Sequence, residues 1–194
     1  MKKLLIATTN KNKVKEIKPF FETLPFEIVC LDELTEKFSD PEETENSLEG
    51  NALLKAKYYG LKTGLLSLAE DSGLFVDALD GYPGIKSARI SNTKEGRNEN
   101  LLENMKDLEG NKRKATFRSA IAIYNPKTKN SFISFGETEG KIEKEAPKDL
   151  SDFFGYDPIF TELKTKKRYS EMEIYEKNAL SHRGKSLSQA KYYL

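Results

Sequence analysis

Residues 3–24 read KLLIATTNKNKVKEIKPFFETL, and the two halves of this stretch have different periods. Residues 3–7 form a short apolar run that stops at a polar loop, the pattern of a buried strand. From Val14 onward, Val14, Ile17, Phe20, Phe21 and Leu24 recur at helical spacing. Pro19 falls inside that pattern and lacks a backbone donor, so a kink or an early end is expected. A strand that feeds a polar loop and then a helix is how an α/β fold begins.

The rest of the chain extends this pattern. A second helix is predicted from Asn46, which can cap it, with Glu49 three residues on in the capping-box position. Its apolar line is Leu48, Ala52, Ala56 and Tyr59. Residues 65–69 and 74–79 read as strands on either side of an EDSG turn, and DGYPG at 80–84 marks a second turn. Residues 98–108 carry Leu101, Leu102, Met105 and Leu108 at helical spacing. Residues 115–124 alternate, with Phe117, Ile121 and Ile123 on one face. NPKTKN then makes a turn, and SFISFGETEG is the partner strand of a hairpin. A loop rich in Asp, Pro and Phe leads to FFGYDPIF, and residues 170–194 read as a helix interrupted near SHRG. The basic cluster at 164–168 reads as a solvated loop. Strands mixed with helices predict an α/β fold with a mixed sheet.

Composition bounds the function. The 194 residues carry 32 Lys+Arg against 31 Asp+Glu, a formal charge of +1. That length suggests one domain, at most two-lobed. Near-zero charge removes the electrostatic case for nucleic acid or an anionic membrane as the main partner. A single cysteine, Cys30, closes no intrachain disulfide, and with one histidine, His182, it builds no Cys/His zinc site. The start, MKKLLIA, imitates a signal peptide, but its apolar stretch falls short of the roughly 7–15 residues that a cleavable signal needs. No run approaches the ~18 apolar residues of a membrane span. A soluble, cytoplasmic protein is expected.

Several motifs carry chemistry. TTNKNK (Thr8, Thr9, Asn10, Lys11, Asn12, Lys13) lies between a strand and a helix. Helix N-terminal N–H groups favour anions and the side chains add donors, giving a phosphate cradle without Walker glycines, or simply a polar loop. GKS at 184–186 imitates a P-loop, but position 179 is Ala where the pattern needs Gly, and a helical segment precedes it. Glu42 and Glu43 precede the second helix, and Glu70 and Asp71 are expected on a tight turn ending at Gly73. Carboxylates so placed suit a hard divalent cation, or a solvated turn. Lys55 lies one turn after Asn51 on one helix face, either solvent-exposed or a second phosphate cation. In FGYD (Phe154, Gly155, Tyr156, Asp157) an aromatic ring stands beside a carboxylate, and Ser181, His182 and Arg183 add donors. Such a set can stack on and edge-read a nucleobase. It also fits a core Phe, a capping Ser and surface cations. A Ser-His-Asp hydrolase lacks the GxSxG context at Ser181.

Taken in order, TTNKNK, EET…NALLKA, EDSGL, GYPGIKSAR, FGYDPIF and EKNALSHRG resemble the inosine triphosphate pyrophosphatase family, from about residue 3 to residue 187. The resemblance implies a long twisted mixed sheet with flanking helices, in two lobes around a deep cleft, as a single domain over 1–194 and a homodimer. It implies Mg2+-dependent hydrolysis of ITP, dITP and XTP to the monophosphate and pyrophosphate. Residues 8–13 and Lys55 would bind the triphosphate. Asp71 would be proton acceptor and metal ligand, with Glu43 the second acidic metal residue. Ser72, Phe154, Gly155, Tyr156, Asp157, Lys177, His182 and Arg183 would hold nucleotide and base.

Arg and His donors aimed at a 6-oxo group would disfavour ATP, whose 6-amino group is itself a donor, by roughly 1–3 kcal/mol for each unsatisfied group. The sequence departs from the family in four places. Thr9 and Asn12 stand where many members have Gly, Glu70 where Asp often precedes the catalytic Asp, and Gly50 where Glu is frequent. Two other readings are a pyrophosphatase of the septum-formation-inhibitor type, against which SHRG and FGYD argue, and a nucleotide-binding regulator, against which Asp71 and Glu43 argue.

Overall fold

A computed structural model describes residues 1–147 and 153–194. Part of the loop expected before FFGYDPIF lies outside the described residues. The strands are β1 (Lys2–Ile6), β2 (Phe26–Cys30), β3 (Leu66–Val76), β4 (Pro83–Gly84), β5 (Lys114–Tyr124), β6 (Ser131–Ile142) and β7 (Phe160–Glu162). The helices are α1 (Lys11–Phe21), α2 (Leu48–Thr63), α3 (Lys94–Asn104), α4 (Ile174–Leu180) and α5 (His182–Tyr193). The sheet order is β2-β1-β3-β5-β6-β7, with β4 on β3. It is mixed as predicted: β1 pairs in parallel with β2 and β3, while β3–β4 and β6–β7 are antiparallel.

The chain divides into two compact units. Unit 1 comprises Met1–Asp71, Ser119–Gly136 and Arg183–Leu194; unit 2 comprises Ser72–Arg118 and Glu137–His182. Each has its own apolar core. In unit 1, Leu4, Ile6, Leu68, Ile121 and Ile123 from the strands pack with Ile17 and Phe21 of α1 and Leu187 and Ala190 of α5. In unit 2, Leu74, Val76, Phe117 and Phe160 pack with Leu101, Met105, Tyr156 and Tyr169. Arg113 is buried there, and its guanidinium donates to the carbonyls of Met105, Leu108, Ile142 and Glu143.

Helix ends follow side-chain chemistry. Asn10 caps α1, its side chain accepting from the backbone N–H groups of Asn12 and Lys13. The helix runs through Pro19 and stops two residues later, the early end that the missing donor predicts. α2 starts later than expected: Ser47, not Asn46, is its cap, in extended conformation with its hydroxyl accepting from the Gly50 N–H at 3.0 Å. The C-terminal helix breaks at Ser181, which leaves His182 and Arg183 at the start of α5.

The expected EDSG turn is not a turn. β3 runs unbroken from Leu66 to Val76 through Glu70, Asp71 and Gly73. Gly73 is required for close packing: a Cβ there would collide with the carbonyl of Gly84 in β4. The turn is the second one, where Asp80, Gly81 and Gly84 all have positive φ. The β5–β6 connection is the predicted hairpin, with Asn125 N–H on the Asn130 carbonyl at 3.0 Å and Lys129 at φ 62°.

Candidate active site

On a strand, neighbouring side chains point to opposite faces, and β3 uses this at Glu70 and Asp71. Ser67, two pleats before Asp71, donates to the Ala56 carbonyl, so that face meets α2. Asp71 is 6% exposed and lies against the same helix. Its Oδ1 receives the Lys55 ammonium at 2.9 Å and its Oδ2 the Asn51 carboxamide at 3.4 Å. Lys55 is shared: Glu43 Oε1 accepts from it at 2.6 Å. Two carboxylates thus converge on one cation. Burial raises the Asp71 pKa, against the pull of Lys55 and Lys13, and the Glu43 charge adds to the rise. Burial lowers the Lys55 pKa, but Asp71 and Glu43 outweigh it and hold the group above its ordinary value.

Glu70, 1% exposed, serves the other face. It takes the Lys13 ammonium at 2.6 Å, the Ser119 hydroxyl at 3.1 Å and the Arg183 guanidinium at 3.2 Å. Arg183 also pairs with Glu16, one helical turn after Lys13 on α1. Two cations and two carboxylates therefore neutralise one another in a buried set within unit 1. Arg183, expected beside a base, takes part in this set. Its guanidinium is 2% exposed and pairs with Glu16 and Glu70, and paired carboxylates are what a buried charge requires.

In the first loop, Thr9 donates to Asp40 at 3.0 Å, and the Thr8 hydroxyl accepts from the Asn10 N–H at 3.2 Å. Lys11 and Asn12 are exposed. The cap places the Asn12 and Lys13 N–H groups on the Asn10 side chain.

Unit 2 holds the aromatic group. Lys177 forms a buried ion pair with Asp157, and its ammonium lies 5.6 Å from the Phe154 ring centre and 5.3 Å from that of Tyr169. The His182 ring stacks on Phe117 at 4.6 Å between centres and 8° between planes. Gly155 has φ 54°, conformation that suits glycine, and its carbonyl accepts from Asn98 at 2.8 Å. Tyr156 faces the core and its hydroxyl donates to the Ser87 carbonyl at 3.1 Å, so it supports the segment from below. Ser72 is half-buried on β3.

The sequence matches the Ham1 family model over residues 4–193. The chain belongs to the Ham1 family. It is 39% identical over 197 residues to a dITP/XTP pyrophosphatase of Oceanobacillus iheyensis, covering 100% of this chain and 98% of that protein. A dITP/XTP pyrophosphatase of Geobacter sulfurreducens is 40% identical over 197 residues, covering 100% and 97%. Among solved structures, a HAM1 protein from Coxiella burnetii aligns with a TM-score of 0.87 at 32% identity, covering 100% of this chain and 98% of that one. The Staphylococcus aureus Ham1 protein aligns with a TM-score of 0.85 at 30% identity, covering 99% and 97%. The Ham1 assignment thus spans every motif from TTNKNK to SHRG.

Mg2+, which the resemblance implies, can be tested against the donors present. Among the described residues no group of three or more His, Cys, Asp or Glu side chains is placed to hold a metal. Glu43 and Asp71 nevertheless already share one cation through oxygen. Mg2+ is commonly held by one or two carboxylates together with substrate phosphates, so this pair fits it. Sequence reading missed Glu16, Asn51 as a partner of Asp71, Ser119 and Asp40. Glu16 and Asn51 had local signals, their helical spacing from Lys13 and from Lys55; Ser119 and Asp40 had none.

Proposed function

We propose that this Ham1-family chain hydrolyses non-standard purine nucleoside triphosphates (dITP, ITP and XTP) to the monophosphate and pyrophosphate. The observation that carries this reading is Asp71, buried on β3 and oriented by Asn51 and Lys55 with Glu43 on the same ammonium. The names of the Oceanobacillus and Geobacter relatives support the substrate class.

The triphosphate brings about three to four negative charges near neutral pH. Lys13 and Lys55 are the cations of unit 1 that oppose it. Glu43 and Asp71 would hold Mg2+, which when bound neutralises charge developing on the leaving pyrophosphate. Asp71 takes the proton of a water attacking the α-phosphorus, a contribution of about 10²–10⁴-fold for a general base. Lys55, tied to both carboxylates, keeps them ionised and aimed. Phe154 offers a π-face to the purine, and His182, with its plane fixed by Phe117, donates to the 6-oxo edge. The resemblance gives Arg183 the same role; its guanidinium has five N–H donors, more than its bonds to Glu16 and Glu70 use. The formal charge of +1 supports a free nucleotide as substrate over a nucleic acid. Homodimeric assembly rests on the resemblance alone, and a cytoplasmic location on composition.

The test is a panel of dITP, ITP, XTP, GTP and ATP with Mg2+, assayed for orthophosphate with and without added inorganic pyrophosphatase. Signal that depends on the added enzyme, for the non-standard purines, is the expected result. Full orthophosphate yield without it would place attack at the γ-phosphorus and overturn the proposal.

A further inference from the structure

Glu43 sits in the least regular part of unit 1. No helix or strand lies between Glu33 and Leu48, so sheet and helix hydrogen bonds do not hold this carboxylate in place. Two ties bracket it. Downstream, the Glu45 N–H donates to Asn51 Oδ1 at 3.1 Å, on the same α2 residue that meets Asp71. Upstream stands Asp40. Its Oδ1 accepts from the Tyr59 hydroxyl at 2.5 Å and its Oδ2 from the Thr9 hydroxyl at 3.0 Å. One exposed carboxylate therefore joins three separate pieces of chain: the loop between β1 and α1, the segment that carries Glu43, and α2.

We propose that Asp40 is a positioning residue: by holding the Thr9 and Tyr59 hydroxyls together, it fixes the 40–45 segment where Glu43 reaches Lys55 beside Asp71. This rests on the reading of Glu43 and Asp71 as the metal-holding pair. Fixing a flexible backbone in one conformation costs entropy at every residue, and anchors on both sides of Glu43 meet that cost before a cation arrives. Burial, and then the bond to Asp40, raise the Tyr59 pKa, so the phenol remains a donor at neutral pH. Phe38 packs edge-on against the Tyr59 ring at 6.4 Å and steadies the same side of the segment.

Asp40→Ala, Thr9→Val and Tyr59→Phe each remove one or both bonds. Amide hydrogen exchange of the peptide spanning residues 38–46, followed without nucleotide or metal, should accelerate roughly three- to tenfold, the scale of one or two modest hydrogen bonds. In Asp40→Ala and Tyr59→Phe, the Mg2+ concentration giving half-maximal turnover of dITP should rise by a similar factor, with kcat at saturating Mg2+ nearly kept; Thr9→Val, which lies in the triphosphate loop, is read by exchange alone. Asp40→Asn should restore both readouts, because its carbonyl oxygen accepts from Tyr59 while its amide donates to the Thr9 hydroxyl. Thr9→Ser should restore the exchange rate, because its hydroxyl can still donate to Asp40. Unchanged exchange at 38–46 in Asp40→Ala, or an equal acceleration in every peptide of the protein, overturns the proposal. A wild-type chain that turns over no triphosphate would sink the enzymatic reading, and the exchange measurement would still decide the role of Asp40.

Discussion

Asp71 is where burial and charge oppose each other most directly. Burial favours the neutral acid, Lys55 and Lys13 favour the carboxylate, and the balance leaves the pKa above its ordinary 3.8. A general base works only when ionised, so the acidic limb of kcat/KM should lie above that value, and a limb below it would remove Asp71 from the role. The same shift has a sign for stability. The folded chain holds this proton to higher pH than the unfolded chain. The contribution of Asp71 to stability is therefore present below the ordinary carboxylate range and is lost as pH rises through the folded value. Asp71→Asn, neutral and of the same shape, should lower kcat by about 10²-fold or more. Its urea midpoint should stay close to wild type, because the fold already disfavours the charge that Asn lacks. A collapse of the midpoint would assign Asp71 to structure.

At the scale of elements, local pattern was legible and non-local contact was not. The periodicity of Val14, Ile17 and Phe21 marked α1, and the alternation around Phe117 and Ile121 marked β5, because both signals lie within one element. EDSG was misread because Asp, Ser and Gly are turn residues, while the reason for Gly73 is the Gly84 backbone eleven positions away. Gly73→Ala should push β4 off β3 and cost about 1–3 kcal/mol, read as a lower urea midpoint at unchanged slope. A midpoint within error of wild type would show that the β3–β4 contact yields without cost. The carboxylate partners of Arg183 were illegible for a similar reason: Glu70 and Glu16 are 113 and 167 residues away. No window along the sequence contains that pairing. Lys55 was the opposite case, since its helical spacing from Asn51 already put both on one face, and the structure brings both to Asp71.

For the whole molecule, the order of segments matters as much as their content. Unit 1 closes only when Arg183–Leu194 returns to strands made near the start of the chain. Leu187 and Ala190 of α5 are fully buried in the core with Leu4 and Ile17, and Arg183 neutralises Glu16 and Glu70. A chain ended after Ser181 loses these contacts together. It should lose the cooperative thermal transition, followed by circular dichroism at the far-ultraviolet helix band. A sharp transition near the full-length midpoint would show that α5 is dispensable to unit 1.

The unbroken run of β3 sets a limit on which changes in length this gene product tolerates. Glu70 and Asp71 are adjacent, both are buried, and each serves different cations on opposite faces. Replacing either alters one set of partners. Deleting or inserting one residue in the first half of the strand would instead exchange the two carboxylates between faces, stranding each among the other's neighbours. Natural or engineered variation in length is therefore confined to places such as the Asn125–Asn130 hairpin, and β3 itself can drift in side chains but not in spacing.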